Sequence, residues 1–257
     1  MAVLIFDIET IPDVQMGRRL YSLSNDNDYE VARMMLSRRQ EETGGSDFLP
    51  LHLHRIVAIS AVLFIGNKLK IGSLASLDAP ESELITRFFN CIEKYTPTLV
   101  SWNGGSFDLP VLHYRALHHA VSAPTYWNIG ETDSGFRWNN YLNRYHYRHM
   151  DLMDILSAYQ PRAYAPLHEI ALLLGLPGKL GMQGNQVFEQ FYTGHLEAVR
   201  NYCEIDVLNT YLIYLNFEKM RGKLSMEQQE QAQQELIAYL KQAKKTHFDE
   251  FLSAWLV

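Results

Sequence analysis

Asp7 and Glu9, in the run Phe6-Asp7-Ile8-Glu9-Thr10, are two acids one residue apart at the end of an apolar stretch. Side chains on a strand alternate with period two, so both emerge on one face of the segment Ala2 to Ile8. Two carboxylates side by side on a buried strand repel unless a cation lies between them. Asp108 follows the turn Asn103-Gly104-Gly105 in NGGSFD, and Asp206 follows Tyr202 by four residues in YCEID, a spacing that puts the two on one helix face. Hard divalent cations such as Mg²⁺ take oxygen ligands from a few carboxylates, waters and substrate phosphates. The four acids fit such a cation site.

Each has a plainer reading when taken alone. Glu9 suits the polar end of a strand, Tyr202 suits a core aromatic, and Asp108, just ahead of Pro110, suits a first-turn acid that complements the helix dipole. Asp206 is harder to assign to structure, because in Ile205-Asp206-Val207-Leu208 an unpaired carboxylate is costly to bury. The five residues together, each on a suitable element, favour a shared site over five separate structural roles.

The elements that must position them are legible in outline. Ala2 to Ile8 reads as a first strand and Arg55 to Ile65 as a second, apolar on both faces and central. A turn at Gly66-Asn67 leads into Lys68 to Leu74. Between the first two strands lies an insertion, residues 12–50, helical around Asp28 to Glu42 and ending in the flexible Thr43 to Ser46. Pro80 to Tyr95 carries apolar residues at helical spacing and leads to a short strand, Thr98 to Trp102. The two glycines after it permit a tight turn, and a helix beginning near Ser106 presents Asp108 above the strand's carboxyl end, where ligand crevices form. Tyr147 to Asp151 reads as a last strand, with Asp151 as the cap and Asp154 a first-turn acid of the helix that follows. Helices are expected over Leu167 to Leu174, Asn185 to Tyr192 and His195 to Met220.

Composition bounds the remainder. A chain of 257 residues with 47% hydrophobic content can bury a full core, which favours one α/β domain with appendages. No apolar run is long enough to span a bilayer and no secretory leader is visible, so the expected location is the cytoplasm, with no membrane partner. Cys91 and Cys203, the two cysteines, lack metal or disulfide spacing. The histidines, His118-His119 and the alternating His52 and His54 included, show no zinc pattern. A formal charge of −6 argues against a wide basic surface as the main means of binding nucleic acid.

The arrangement resembles the DEDDy branch of the RNase H-like 3′-to-5′ exonucleases, whose motifs are D-x-E, N-x3-F-D and Y-x3-D. Here they read Asp7-Ile8-Glu9, Asn103 to Phe107-Asp108, and Tyr202 to Asp206. The sister branch has a histidine where this chain has Asn201, five residues before the last aspartate. The nearest likeness is to the exonuclease domain of family B DNA polymerases and to free-standing bacterial proteins related to it; HMDLMDIL and KLGMQGNQVFEQFYTG share in it. The likeness covers roughly residues 1–220. It implies an RNase H-like α/β fold: a central mixed sheet of about five strands flanked by helices, with the helical insertion after the first strand. The expected organisation is an exonuclease domain over residues 1–222 and a helical extension over 223–257.

The same resemblance implies a catalytic set of Asp7, Glu9, Asp108, Tyr202 and Asp206, with two divalent ions, Mg²⁺ or Mn²⁺, held by the four carboxylates. Single-stranded 3′ ends would be shortened to nucleoside 5′-monophosphates, with DNA favoured over RNA. Tyr202 would orient the attacking water and Phe107 would wedge against the terminal base, near Asn103 and Thr10. Residues 126–148 interleave aromatics with arginines, as single-strand binders do, and Arg137 and Trp138 are the best contacts there. Arg18, Arg19, Arg33, Arg38 and Arg39 in the insertion fit a solvated helix face or a phosphate-contacting arm. The stripe Phe248, Phe251, Leu252, Trp255 and Leu256 fits a tail docked on its own domain, with a protein partner or dimer as the lesser alternative. An exoribonuclease, or a binding module on a nuclease fold serving a replication or repair complex, remain as other readings.

Overall fold

A computed structural model of the protein describes residues 2–24, 27–66 and 68–256. In chain order its main elements are β1 (Ala2–Pro12), α1 (Val14–Tyr21), α2 (Asp28–Thr43), β2 (His54–Ile65), β3 (Lys68–Ser73), α3 (Glu81–Tyr95), β4 (Thr98–Ser101), α4 (Asp108–His118), α5 (Pro124–Trp127), β5 (His149–Asp151), α6 (Leu152–Leu156), α7 (Leu167–Leu173), α8 (Val187–Tyr192), α9 (Leu196–Met220), α10 (Met226–Ala243) and α11 (Thr246–Trp255). The strands form one sheet in the order β3-β2-β1-β4-β5. β1 and β3 run antiparallel to β2, whereas β1, β4 and β5 run parallel to one another. This mixed sheet flanked by helices is an RNase H-like α/β architecture.

Alternation along β1 decides which way the acids face. Val3 and Ile5 pack into a core shared with α9, α10 and α11, while Leu4, Phe6 and Ile8 pack into a second core with α3 and α4. Asp7 and Glu9 have the parity of Val3 and Ile5, so they emerge under α9. The strand does not end at Ile8 as its apolar run suggests but continues to Pro12. Pairing with β2 shifts between Glu9, opposite Ala58, and Thr10, opposite Ile56, leaving Val57 as an extra residue. Such a bulge bends the strand and re-aims its side chains.

The insertion contains a helix that its sequence hides, α1, capped by Asp13 accepting from the backbone N–H of Met16 at 3.0 Å. Its Gly17 lies against Met35 of α2 so closely that a Cβ would fall 2.2 Å from the sulfur. Val14, Val31, Met35, Leu49 and Leu53 close a small core that fixes the insertion beside β1. The expected turn at Gly66-Asn67 falls partly outside the described residues, Asn67 being one that is not described.

One expectation is corrected, and the favoured reading of the C-terminal stripe holds. β5 is three residues long, starting at His149 rather than Tyr147, because its partner β4 offers pairing only from Leu99 to Ser101. Tyr145 and Tyr147 therefore stand exposed, and the aromatic core of this region is built from Tyr126, Phe136 and Tyr141. The C-terminal stripe docks on its own chain: Phe248, Phe251 and Leu252 are buried with Leu236, Leu240 and Leu212. Glu204 of α9 binds the start of α11, accepting from Lys245 and His247 at 2.8 Å each. Trp255 packs at the edge of that core and Leu256 is exposed. No helix of the described residues is long and apolar enough to cross a membrane.

Candidate functional site

Three elements converge on one acidic cluster. β1 supplies Asp7 and Glu9, the buried helix α9 supplies Tyr202, Cys203 and Asp206, and the first turn of α4 supplies Asp108. Cys203 Sγ lies 3.4 Å from the Asp7 carbonyl and 3.5 Å from its Oδ2. Ligand atoms of Asp7, Glu9 and Cys203 fall within 4.8 Å of one another. Asp108 Oδ1 accepts the backbone N–H of Ile8 at 3.1 Å, which ties α4 to the residue between the two β1 acids.

The cluster is electrostatically strained. Burial first, and then the charges of Asp108, Glu9 and Asp206, push the Asp7 carboxyl well above the usual carboxylate range. Glu9 is raised by burial and by Asp206, an effect that Lys179 opposes. Burial lifts Asp108 to about 7 against the pull of the Ile8 N–H, and Asp206 to about 6 against those of Lys179 and Tyr202. The Tyr202 hydroxyl faces the Asp206 carboxylate. Burial and the neighbouring charges of Asp206 and Glu9 hold the phenol in its protonated form.

A residue set of this kind fits divalent cations. The donors are mainly hard oxygens, and the repulsion among them is what a cation relieves. Asp206 Oδ1 is buried without a hydrogen-bond partner among the described residues, which fits an oxygen that would ligate an ion. Cys203 adds a softer donor that the sequence reading passed over, although its place three residues before Asp206 is itself a same-face helix spacing.

The turn before Asp108 is held by Asp151. Its two carboxylate oxygens accept from the N–H groups of Asn103 and Gly105 at 2.9 Å each, and it also caps α6 through Met153 and Asp154. Asp151 and Asp154 thus act as the structural acids expected of them. Asn103 adopts a left-handed φ of 64°, and its carbonyl accepts from Ser106 and Phe107, which sets Phe107 at the head of α4.

Phe107 joins an aromatic group that belongs partly to the insertion. Its ring stands edge-on to His54 at 5.3 Å and tilted to Phe48 at 5.8 Å. His54 bonds Thr10 Oγ1 through Nδ1 at 2.9 Å and the Leu49 carbonyl through Nε2 at 3.1 Å. These residues, with Glu9 and with Arg33, Ser37 and Gln40 of α2, line a cleft of about 700 Å³. Phe48 and His54 carried no chemical spacing in the sequence; the pairing of β2 with β1 sets His54 opposite Pro12 and beside Thr10, and the folding back of the insertion brings Phe48 to it.

Arg137 and Trp138 do not line this cleft. Trp138 is 82% exposed in the segment after Phe136. Of the insertion arginines, Arg38 and Arg39 pair with Glu42 on the surface, Arg18 pairs with Asp28, and Arg33 reaches the cleft wall. Lys179, from the loop after α7, opens the segment KLGMQGNQVFEQFYTG but was given no role of its own, yet it bears on both Glu9 and Asp206.

Comparison with known proteins matches the chain to a family. A stretch of 152 residues, 58% of the chain, is 28% identical to a DNA polymerase of Archaeoglobus fulgidus, and it covers 19% of that polymerase's length. Over residues 46–255 the chain matches the family described as predicted 3′-5′ exonuclease related to the exonuclease domain of PolB. That span contains Asp108, Tyr202 and Asp206 and begins after β1, so Asp7 and Glu9 join the group through the fold. With its RNase H-like sheet and more than half its length matched, the chain belongs to the family of predicted 3′-5′ exonucleases related to the PolB exonuclease domain.

Proposed function

We propose that this protein is a divalent-metal-dependent 3′-to-5′ exonuclease that shortens single-stranded ends, DNA in preference to RNA, releasing nucleoside 5′-monophosphates. The observation that carries the reading is the meeting of Asp7, Glu9, Asp108 and Asp206, from three separate segments, with Asp206 Oδ1 buried and unpartnered. Asp7, Glu9, Asp108 and Asp206 would hold two ions, Mg²⁺ or Mn²⁺. Bound there, the ions would supply positive charge to the attacked phosphodiester and acidify a water at neutral pH.

The chain's own groups account for the rest. Tyr202, kept protonated by burial and by Asp206, can hydrogen-bond a water and orient it but cannot serve as a ready phenolate base. The water oxygen adds to phosphorus as the bond to the 3′ oxygen of the preceding nucleotide breaks, and the water's proton passes to solvent or to the leaving oxygen. Phe107 and Phe48 offer ring faces on which terminal bases can stack. Thr10 and Asn103 lie at the cleft and at the turn that fixes Phe107. A cleft of about 700 Å³ suits an unpaired end, being of the size of small-ligand sites.

The test is to incubate 5′-labelled single-stranded, duplex and mismatched DNA and RNA with Mg²⁺ or Mn²⁺. A ladder shortening progressively from the 3′ end, stopped by EDTA and fastest on single-stranded DNA, is expected. Cutting of a circular single strand would reject the reading.

A further inference from the structure

Asp154, in the first turn of α6, is a buried acid that gathers three groups at the surface. Its Oδ2 pairs with Arg144 at 2.8 Å, its Oδ1 accepts from the Tyr164 hydroxyl at 2.6 Å, and its carbonyl accepts from the Tyr159 N–H at 2.7 Å. Ala158 and Tyr159 both have a left-handed φ, 52° and 60°, which is costly for a bulky residue and persists only where the surroundings hold it. That backbone sets the Tyr159 ring edge-on to Tyr145, with centroids 4.9 Å apart. The Arg144 guanidinium lies 5.3 Å from the Tyr159 ring and 5.9 Å from the Tyr145 ring. Tyr145 is 65% exposed. Two rings and a half-exposed guanidinium, pinned to a buried acid, form a platform open to solvent.

The platform stands beside the acidic site. Ile5, Val100 and Met150 are in line across β1, β4 and β5, so Met150 is two strand spacings, about 10 Å, from Ile5. α6 starts directly after β5, at the same carboxyl edge from which Asp7 and Glu9 emerge. The chain beyond the platform leads back to the cleft. The Ala165 carbonyl accepts from Trp102 Nε1 at 3.2 Å, beside the turn that leads to Phe107, and Pro166 and His168 line a cavity of about 650 Å³. Gly184 and Asn185 line both that cavity and the cleft that holds Phe107 and Glu9, so the two spaces adjoin.

Charge names the occupant. From Ser134 to His168 the chain carries four arginines, Arg137, Arg144, Arg148 and Arg162, against two acids, Asp151 and Asp154, both buried and spent on hydrogen bonds. Arg162, exposed between Tyr159 and Tyr164, pairs with no described carboxylate. On a chain of formal charge −6, a local excess of positive charge among open rings suits a polyanion that also offers flat faces. Single-stranded nucleic acid is such a polymer: its bases stack on rings while arginines take its phosphates.

Building on the exonuclease reading above, we propose that Tyr145 and Tyr159, with Arg144 and Arg162, bind the single strand on the 5′ side of the scissile linkage. The rings stack on bases and the guanidiniums face phosphates. The terminal nucleotide sits in the cleft at Phe107, and the strand runs past Pro166 to the platform. Contacts on both sides of the acids make affinity rise with strand length until the rings are reached.

The full chain, Tyr145→Ala and Tyr145→Phe are compared with Ca²⁺ in place of Mg²⁺ to hold hydrolysis back. Unlabelled oligothymidylates, from two nucleotides to about a dozen, compete with a fluorescein-labelled strand for binding, read by anisotropy. Wild-type affinity is expected to climb by about tenfold or more as the strand becomes long enough to reach the rings, and to climb far less in Tyr145→Ala. Tyr145→Phe keeps the ring face and is expected to retain the climb. Independently, the wild-type protein is photo-crosslinked to strands that carry one 5-iodouracil at successive positions. Crosslinks at Tyr145 or Tyr159 are expected only from bases at the third position from the 3′ end or further upstream. The same length dependence in wild type and Tyr145→Ala, crosslinks at the platform from the terminal base, or none there from any base overturns the proposal. Those results, which a platform serving a protein partner would also give, leave the exonuclease reading standing if the wild type still shortens strands. A wild type that neither binds nor shortens single strands overturns the exonuclease reading and this inference with it.

Discussion

Asp108 Oδ1 accepts the backbone N–H of Ile8, the residue that separates Asp7 from Glu9, at 3.1 Å. β4 pairs with β1 only from Val3 to Ile5, so this part of the β1 edge has no strand beside it, and a side chain from α4 takes the strand's place. One carboxylate therefore has two tasks: it sets the distance between two acidic motifs and it adds its own charge to them.

The two tasks can be separated. Asp108→Asn keeps an acceptor for Ile8 and removes the charge, so its rate should fall by about 10²-fold or more with stability held or improved. Asp108→Ala should lose the rate equally and also about 1–3 kcal/mol of stability, because a buried N–H is left unpaired. Urea melts and single-turnover rates check both. Equal stability in the two variants would mean that the Ile8 bond does not matter.

Tyr202→Phe keeps the ring, which is buried with Val199, Val187 and Ile11, and deletes only the hydroxyl. Stability should change by about 1 kcal/mol at most. The rate at a 3′-terminal phosphodiester should drop by roughly 10²-fold while divalent-ion binding persists. Because the phenol is held protonated, the wild-type pH–rate profile should show no inflection from Tyr202 between pH 6 and about 9. An unchanged single-turnover rate in the variant would remove Tyr202 from the mechanism.

The metal-free protein should become less stable as pH rises from about 6.5 to 8. Asp108, lifted to about 7, and Asp7 and Glu9, raised well above the normal range, bind protons more tightly folded than unfolded. The folded state therefore holds more protons in this window, so unfolding free energy falls as they are lost. The buried histidines His54, His113 and His149 are shifted down, so the unfolded chain binds protons there that the folded one does not; their opposing slope fades above about pH 7.5 and leaves the carboxyl-driven decline clearest there. Thermal melts in EDTA should show the decline, and saturating Mg²⁺ should largely remove it. A flat or rising profile in EDTA would show that burial and neighbouring charge do not hold these acids protonated.

The C-terminal helices should prove inseparable from the rest. Deleting residues 223–257 exposes the core against which Leu236, Leu240 and Phe251 pack, and cooperative unfolding should be lost. Phe251→Ala, at a fully buried site, should cost about 3–5 kcal/mol with the melt still cooperative. A deletion variant that melts sharply near the wild-type temperature would show that residues 223–257 are not needed for the fold.

Much of the site is local and could be read without a fold. The parity of Asp7 and Glu9, the i,i+4 spacing of Tyr202 and Asp206 and the helix start at Asp108 follow from strand and helix periods, which covalent geometry sets. The long apolar strand from Arg55 and the amphipathic α3 declared themselves for the same reason. What depends on distant partners did not. β5 is short because β4 offers it three residues, and β1 is long because a bulge at Val57 lets β2 follow it to Pro12. Tyr147 has the pattern of a strand residue and no strand to pair with. Phe48 reaches Phe107 because the insertion, with α1 and α2 packed through Gly17 and Met35, folds back beside β1, and His54 reaches it because β2 follows β1 as far as Pro12. Lys179 had no spacing to mark it; Asn209 and His168, 30 and 11 residues away in sequence, aim it at Tyr202. The sequence by itself determined which acids can meet an ion, since that rests on side-chain type and local period. The tertiary structure alone decided which neutral and cationic groups surround them, since that rests on the packing of segments far apart in the chain.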